Sequence, residues 1–254
     1  VGLPGYEEKH PLALSSGQKQ RLALASILAL RPGVLILDEP ISNLDCQGWE
    51  EVFSTIQNLK ETLGTTAIIA EHNTEALVKL VDRIVLLYDG EIVHADTPQR
   101  LFQGVDFMAA KDVWIPQVTE LGQRLFRSGL WEGELPVTLE AAQGMIGSLV
   151  AGKSQPGPTL PEPQLMTQSL KMSRDPVIET RNLSYTYPDG TAALCDVDLI
   201  IGRGEYVALL GQNGSGKTTL VKHFLGLLKP TSGQIMVDGV DTRQVPIKEL
   251  VSRV

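Results

Sequence analysis

Apolar residues fall along this chain in short blocks, and the spacing within the blocks alternates between helical and continuous. From Leu14 to Leu30 they recur at helical spacing, with Ser15 and Ser16 ahead as N-cap candidates and Pro32-Gly33 behind as a stop. Val34-Leu35-Ile36-Leu37 then runs without interruption into two acids. So short an apolar run, bounded by Pro-Gly, predicts a parallel strand buried on both faces. Residues 49–63 read as a helix, Ala67–Ala70 as a second buried strand and 75–81 as a short helix. Strands over 83–88 and 91–94 flank Asp89-Gly90, a hairpin signal. Helices alternating with strands predict an α/β layer with a parallel sheet and an antiparallel edge.

The pattern changes after about residue 105. Leu121–Leu130 and Leu139–Leu149 predict short helices, and the stretch 152–168 carries four prolines, the composition of a linker. From Val177 strands resume: Val177–Leu183, Ala193–Ile201 and Tyr206–Leu210. The last runs into a glycine-rich loop, then a helix over Thr218–Leu228, a turn over Pro230–Gly233 and a strand over Gln234–Val237. The organisation predicted is therefore three parts: 1–105, a middle segment with its Pro-rich linker over 106–176, and 177–254. The chain opens at Val1 in mid-pattern, which predicts a piece of something longer.

Composition narrows the class. Across 254 residues, 43% hydrophobic and 20% charged is ordinary for a globular chain. The formal charge of −8 argues against a nucleic-acid binder that works by blanket phosphate neutralisation. The two cysteines, Cys46 and Cys195, match no metal or redox spacing and read as small buried residues. Apolar stretches fall short of the ~18 residues a membrane span needs.

Three patterns carry chemistry. Gly211-Gln212-Asn213-Gly214-Ser215-Gly216-Lys217-Thr218 fits the phosphate-loop pattern G-x-x-x-x-G-K-[ST], between a predicted strand and helix. Glycines let successive N–H groups curl toward one anion, and the helix offers its positive end to the same anion. Lys217 adds a point charge for β and γ phosphates, and the Thr218 hydroxyl suits Mg²⁺. Asp38-Glu39 at the end of a buried strand suits a metal-bound water reaction, with Asp38 on the metal and Glu39 on the attacking water. Alone, solvated acids at a strand end fit as well. Leu14-Ser15-Ser16-Gly17-Gln18 at a helix start presents N–H donors to an anion, although a plain N-cap has the same look.

In order, Leu14–Gln18, Asp38-Glu39-Pro40, Ser42-Asn43-Leu44-Asp45 and then His72 after a buried strand resemble the second half of an ABC-type ATPase: its signature, acidic strand, D-loop and switch histidine. Tyr187, Gly211–Thr219 and the strand after Ser232-Gly233 resemble the first half of another such domain. The order is inverted, because the phosphate loop follows the signature. The resemblance implies an α/β P-loop NTPase in two incomplete domains, the end of one and the start of the next in a tandem protein. Ala70-Glu71-His72-Asn73, Leu183–Gly190 and the region of Trp114, Pro116 and Leu130-Trp131 resemble tandem ATPases of energy-coupling factor (ECF) importers for vitamins or metal ions.

That family resemblance implies Mg²⁺ and ATP as ligands, separate transmembrane subunits at the cytoplasmic face of a membrane, and head-to-tail pairing with a second ABC domain. Glu39 and His72 would be catalytic. Tyr187, Gly211, Asn213, Gly214, Ser215, Gly216, Lys217, Thr218 and Thr219 would hold nucleotide, with Tyr187 stacking on adenine and Tyr185 as its reserve. Ser15, Gly17 and Gln18 would face that nucleotide from the first domain, with Asp45 at the seam, and Thr218 and Asp38 would bind metal. On the tandem reading, Asp38, Glu39 and His72 serve a different site, beside a phosphate loop that this chain lacks. The other arrangement is a circularly permuted unit in which the two halves pack together and Lys217 lies beside Asp38 and Glu39. A tandem ABC protein acting on ribosomes, and a fragment with an incomplete site, are the alternatives in function.

Overall fold

In the computed structural model, which describes residues 10, 11, 14, 16–41, 46–152, 175–212 and 214–251, two-residue alternation sorts the buried strands onto two cores. Helix α1 covers Ser16–Ala29, β1 Val34–Asp38, α2 Cys46–Leu63, β2 Thr66–Ala70, α3 Thr74–Leu77, β3 Arg83–Tyr88 and β4 Glu91–Asp96. Helices α4 (Pro98–Leu101), α5 (Val105–Ala109), α6 (Gln117–Arg127) and α7 (Leu139–Val150) follow. Then come β5 (Pro176–Thr186), β6 (Ala192–Gly202), β7 (Tyr206–Leu210), α8 (Lys217–Phe224), β8 (Ser232–Val237), β9 (Val240–Asp241) and α9 (Ile247–Val251).

One sheet has the order β1-β2-β7-β3-β4. Its first four strands run parallel and β4 is antiparallel to β3. The strand that leads into the glycine-rich loop is thus the central strand of a sheet whose other members all come from residues 34–96. Its register is Ile68 beside Val207 on one flank and Ile84 beside Ala208 on the other. Both faces are covered, as continuous apolar runs in parallel strands require. Leu35, Leu37, Ala67, Ile69, Ile84, Leu86, Tyr206 and Ala208 pack with α2, α3 and the segment after β4. Val34, Ile68, Ala70, Val85, Leu87, Val207 and Leu209 pack with α8 and a second, antiparallel sheet of order β6-β5-β8-β9.

Polar groups pin this insertion at its lower end. Arg83 and Glu205 form a buried ion pair, Nε to Oε1 at 2.6 Å. The Arg83 Nη2 also donates to the Ile200 carbonyl at 2.5 Å, and Gly202 N–H donates to Glu205 Oε2 at 2.9 Å. The fully buried Tyr206 hydroxyl donates to the Ile56 carbonyl in α2 at 2.9 Å. Burial, and then the charge of Asp82, push that phenol up to about 12.

Several predicted elements shift. The glycine-loop helix ends at Phe224 rather than Leu228, because the chain turns at Gly226 with φ +69°. β5 and β6 are longer than predicted, since bulges carry both through polar positions. Asn182 and Asp196 take φ +46°, and Asn182 N–H donates to Asp198 Oδ1 at 2.6 Å. β9 and α9 had no predicted counterpart. Cys195 is only half-buried, a correction to the buried reading, because alternation on β6 leaves it off the core face. Among the described residues, no helix is long and apolar enough to cross a membrane.

Candidate active site

The glycine-rich loop leaves β7 at Gly211 and ends where α8 begins. Two of its glycines are dictated by space. A Cβ on Gly211 would sit 2.2 Å from the Leu87 carbonyl, and one on Gly216 would sit 2.6 Å from the Ala193 carbonyl, with φ at +101°. Only glycine lets the loop lie this close to β3 and β6. The loop is also tied to the β3–β4 turn, whose Gly90 N–H donates to the Ser215 carbonyl at 3.2 Å.

Lys217 opens α8 and is buried, its ammonium donating to the Gly211 and Gln212 carbonyls at 2.9 and 3.1 Å. Burial lowers its pKa, while the negative charges of Glu39, Asp38 and Glu71 pull it back up. Those three acids come from the other half of the chain. Ser215 is buried with an Oγ that has no hydrogen-bond partner among the described residues, and Thr218 is exposed. A buried hydroxyl and a cation bonded, among the described residues, to the carbonyls of its own loop are groups that suit a phosphate.

Asp38 ends β1 exposed. Glu39 follows in the left-handed region, φ +47°, with its N–H donated to the Ala70 carbonyl at 2.9 Å. Such a conformation in a non-glycine residue is strained, and strain of this kind collects at functional sites. The Gln20 side chain on α1 donates to the Glu39 carbonyl at 3.4 Å and also to the Pro40 carbonyl. Helix α1 is thereby fastened to the acidic strand end.

Glu39, His72, Gly211 and Gln212 line one cavity. Of the two arrangements that the sequence leaves open, this placement is the one expected of the permuted unit: β7 occupies the central slot between β2 and β3, and this chain's own loop lies beside Glu39 and His72. The same cavity is lined by Asp112, Val113 and Trp114 from the middle segment, to which the sequence had assigned no chemistry. Trp114 is 80% exposed and stands at the cavity. No local signal marks these residues, because only the tertiary approach of α5 and the loop after it brings them there.

Tyr187 lies just past β5, half-buried, with its hydroxyl 3.1 Å from Thr219 Oγ1 and its ring edge-on to Tyr185 at 5.0 Å. Tyr185 also packs edge-on against His223 of α8 at 4.7 Å. Both tyrosines therefore flank the helix that carries Lys217. If Tyr187 stacks on a base, Tyr187→Ala weakens nucleotide binding by about fivefold to tenfold, the worth of one aromatic stack. Titration with a fluorescent ATP analogue measures it, and unchanged affinity removes Tyr187 from the site.

Gly17 and Gln18 lie in the first turn of α1. Ser15, Asp45 and Asn213 lie outside the described residues, as does most of the Pro-rich stretch. The donor set fits Mg²⁺, which prefers hard oxygens and keeps several from water and phosphate. A Thr218 hydroxyl and an Asp38 carboxylate, both exposed, supply such oxygens at the loop. Among the described residues no group of three or more His, Cys, Asp or Glu forms a closed metal cage.

The model of the family described as "ABC transporter" matches residues 1–42 and 194–254. A protein of Caldanaerobacter subterraneus subsp. tengcongensis, named as an ABC transporter ATP-binding protein, is 38% identical over 98% of this chain and 43% of its own length. One from Methanosarcina acetivorans is 38% identical over 95% of this chain and 37% of its own. The chain thus spans about two fifths of the length of these curated relatives. Among solved structures, cbiO1 from Clostridium perfringens, part of the ABC transporter complex cbiONQ, is 41% identical over 31% of this chain and 32% of its own, with a TM-score of 0.30.

Proposed function

We propose that this chain, a member of the family of ABC transporter ATP-binding proteins, binds Mg-ATP and hydrolyses it at the cavity between the glycine-rich loop and the end of β1. The observation that carries the reading is the cavity that Glu39 and His72 from one half of the chain line together with Gly211 and Gln212 from the other, with Lys217 in the electrostatic field of Glu39 and Asp38.

In that reading, loop N–H groups and Lys217 hold the β and γ phosphates. Thr218 and Asp38 would hold Mg²⁺, which supplies charge neutralisation at the phosphates. Glu39 accepts the proton of the attacking water as the bond from γ-phosphorus to the bridging oxygen breaks. His72 meets the γ-phosphate from the other wall of the cavity. Little covalent chemistry falls to the protein, so positioning and electrostatics dominate. Gly17 and Gln18 in the first turn of α1, with Ser15 and Asp45 from outside the described residues, would serve the nucleotide of a second ABC domain paired head to tail, Asp45 at the seam.

The wider assignment is an importer ATPase of ECF type for a vitamin or metal ion, with a sequence organised as the C-terminal half of one ABC domain over 1–105, a linking segment over 106–176 and the N-terminal half of a second over 177–254. It works with separate transmembrane subunits at the cytoplasmic face of the membrane. What supports it is the sequence resemblance at 70–73, 114–131 and 183–190. The test is Mg-dependent phosphate release by this chain beside Glu39→Gln. The substituted chain is expected to bind ATP normally while turnover falls by about a hundredfold, typical of losing a general base. Equal turnover in both chains overturns the assignment of Glu39.

A further inference from the structure

A carboxylate with no exposed surface stands immediately before His72. Glu71 follows β2, and its side chain is fully buried. Its Oε1 accepts the His72 backbone N–H at 2.8 Å and the Asn73 N–H at 3.3 Å, and lies 3.0 Å from His72 Nδ1. Its Oε2 has no hydrogen-bond partner among the described residues. The Asn73 side chain is engaged elsewhere, accepting the Ala76 N–H as the cap of α3. A buried carboxylate with one bare oxygen is costly, and a hydroxyl would satisfy two backbone N–H groups at less expense of desolvation. What a carboxylate adds is a strong acceptor for a ring N–H.

We propose that Glu71 is a positioning residue for His72: it holds the neutral imidazole with its proton on Nδ1, so that Nε2 is the nitrogen left for the cavity that His72 shares with Glu39. The inference rests on the ATPase reading for its consequence, but not for its geometry. An exposed neutral histidine in water prefers the opposite tautomer, with the proton on Nε2. The His72 side chain is 62% exposed, so solvent alone would leave it there. The contact between Nδ1 and a carboxylate is the device that fixes tautomer and ring orientation at other reacting histidines.

Two measurements test this. The first is a ¹⁵N–¹H spectrum of the histidine-labelled chain above the ring's titration. The chain has four histidines, and His72→Gln identifies the signal. The expected pattern is Nδ1–H for His72 in the unsubstituted chain. An Nε2–H pattern overturns the proposal, whether or not any variant folds. The second is Glu71→Gln, which keeps the shape and the backbone acceptor but weakens the hold on the ring. It is expected to lose the Nδ1–H signature and to lower kcat by about tenfold to a hundredfold, with KM changed by less than about twofold. An unchanged kcat overturns it. The spectrum needs no turnover. Failure of the ATPase reading, seen as no phosphate release by the unsubstituted chain, is therefore distinct from failure of this one.

Discussion

Lys217→Ala is expected to lower ATP turnover by at least about a hundredfold, the usual loss on removing one donor to a developing oxyanion, and to weaken ATP binding with it. The Lys217 ammonium is bonded to the Gly211 and Gln212 carbonyls, and it faces the charges of Glu39, Asp38 and Glu71. Its removal takes away the cation among three acids that must also admit a polyanion. Repulsion between those acids and the phosphates then goes uncompensated. Arginine is a poor replacement, because its planar fork does not fit where a compact point charge meets two carbonyls of one tight loop. Phosphate release and fluorescent-nucleotide titration read the two effects separately. Retention of both would remove the glycine-rich loop from the site.

The Arg83–Glu205 pair yields the largest expected effect on stability. Its side chains are 8% and 1% exposed, at 2.6 Å, and one partner comes from each half of the chain. Glu205→Gln leaves the shape intact but strands a buried guanidinium. Breaking such a pair typically costs about 3–5 kcal/mol. Arg83→Met strands the carboxylate instead and costs a comparable amount. The double substitution removes both charges and is expected to cost much less than the sum of the singles. Urea unfolding of the four chains gives the coupling directly. Simple additivity would mean that residues 83 and 205 do not touch, and that β7 does not lie beside β3.

Much of this site was legible from residues alone, for a physical reason. Phosphate binding by backbone needs glycines at fixed spacing, so 211–218 announces itself locally, as does a strand that ends in Asp38-Glu39. Tyr206–Leu210 was delimited to the residue because a strand buried on both faces has no polar position within it. The middle segment was not legible. Trp114 and Asp112 join the cavity through the packing of α5 and the chain after it, and nothing in their neighbours marks that approach. In the sequence Glu71 stands out only as a neighbour of His72. Only its burial and its distance to Nδ1 give it a role. The pairing of halves was open in the sequence, since continuous apolar strands state that they need neighbours without stating which. The β5 and β6 boundaries failed because bulges at Asn182 and Asp196 carry strands through residues that alternation alone would exclude.

That Lys217 and Glu39 serve one ATP within a single molecule is tested most directly by mixing. Lys217→Ala and Glu39→Gln chains are combined at equal concentration, and phosphate release is compared with each alone and with the unsubstituted chain. If both side chains of a site come from the same molecule, every site in the mixture carries one defect, and turnover stays at the level of the single variants. Recovery of turnover on mixing would contradict the account, since it would mean that the loop of one chain completes the acidic strand of another.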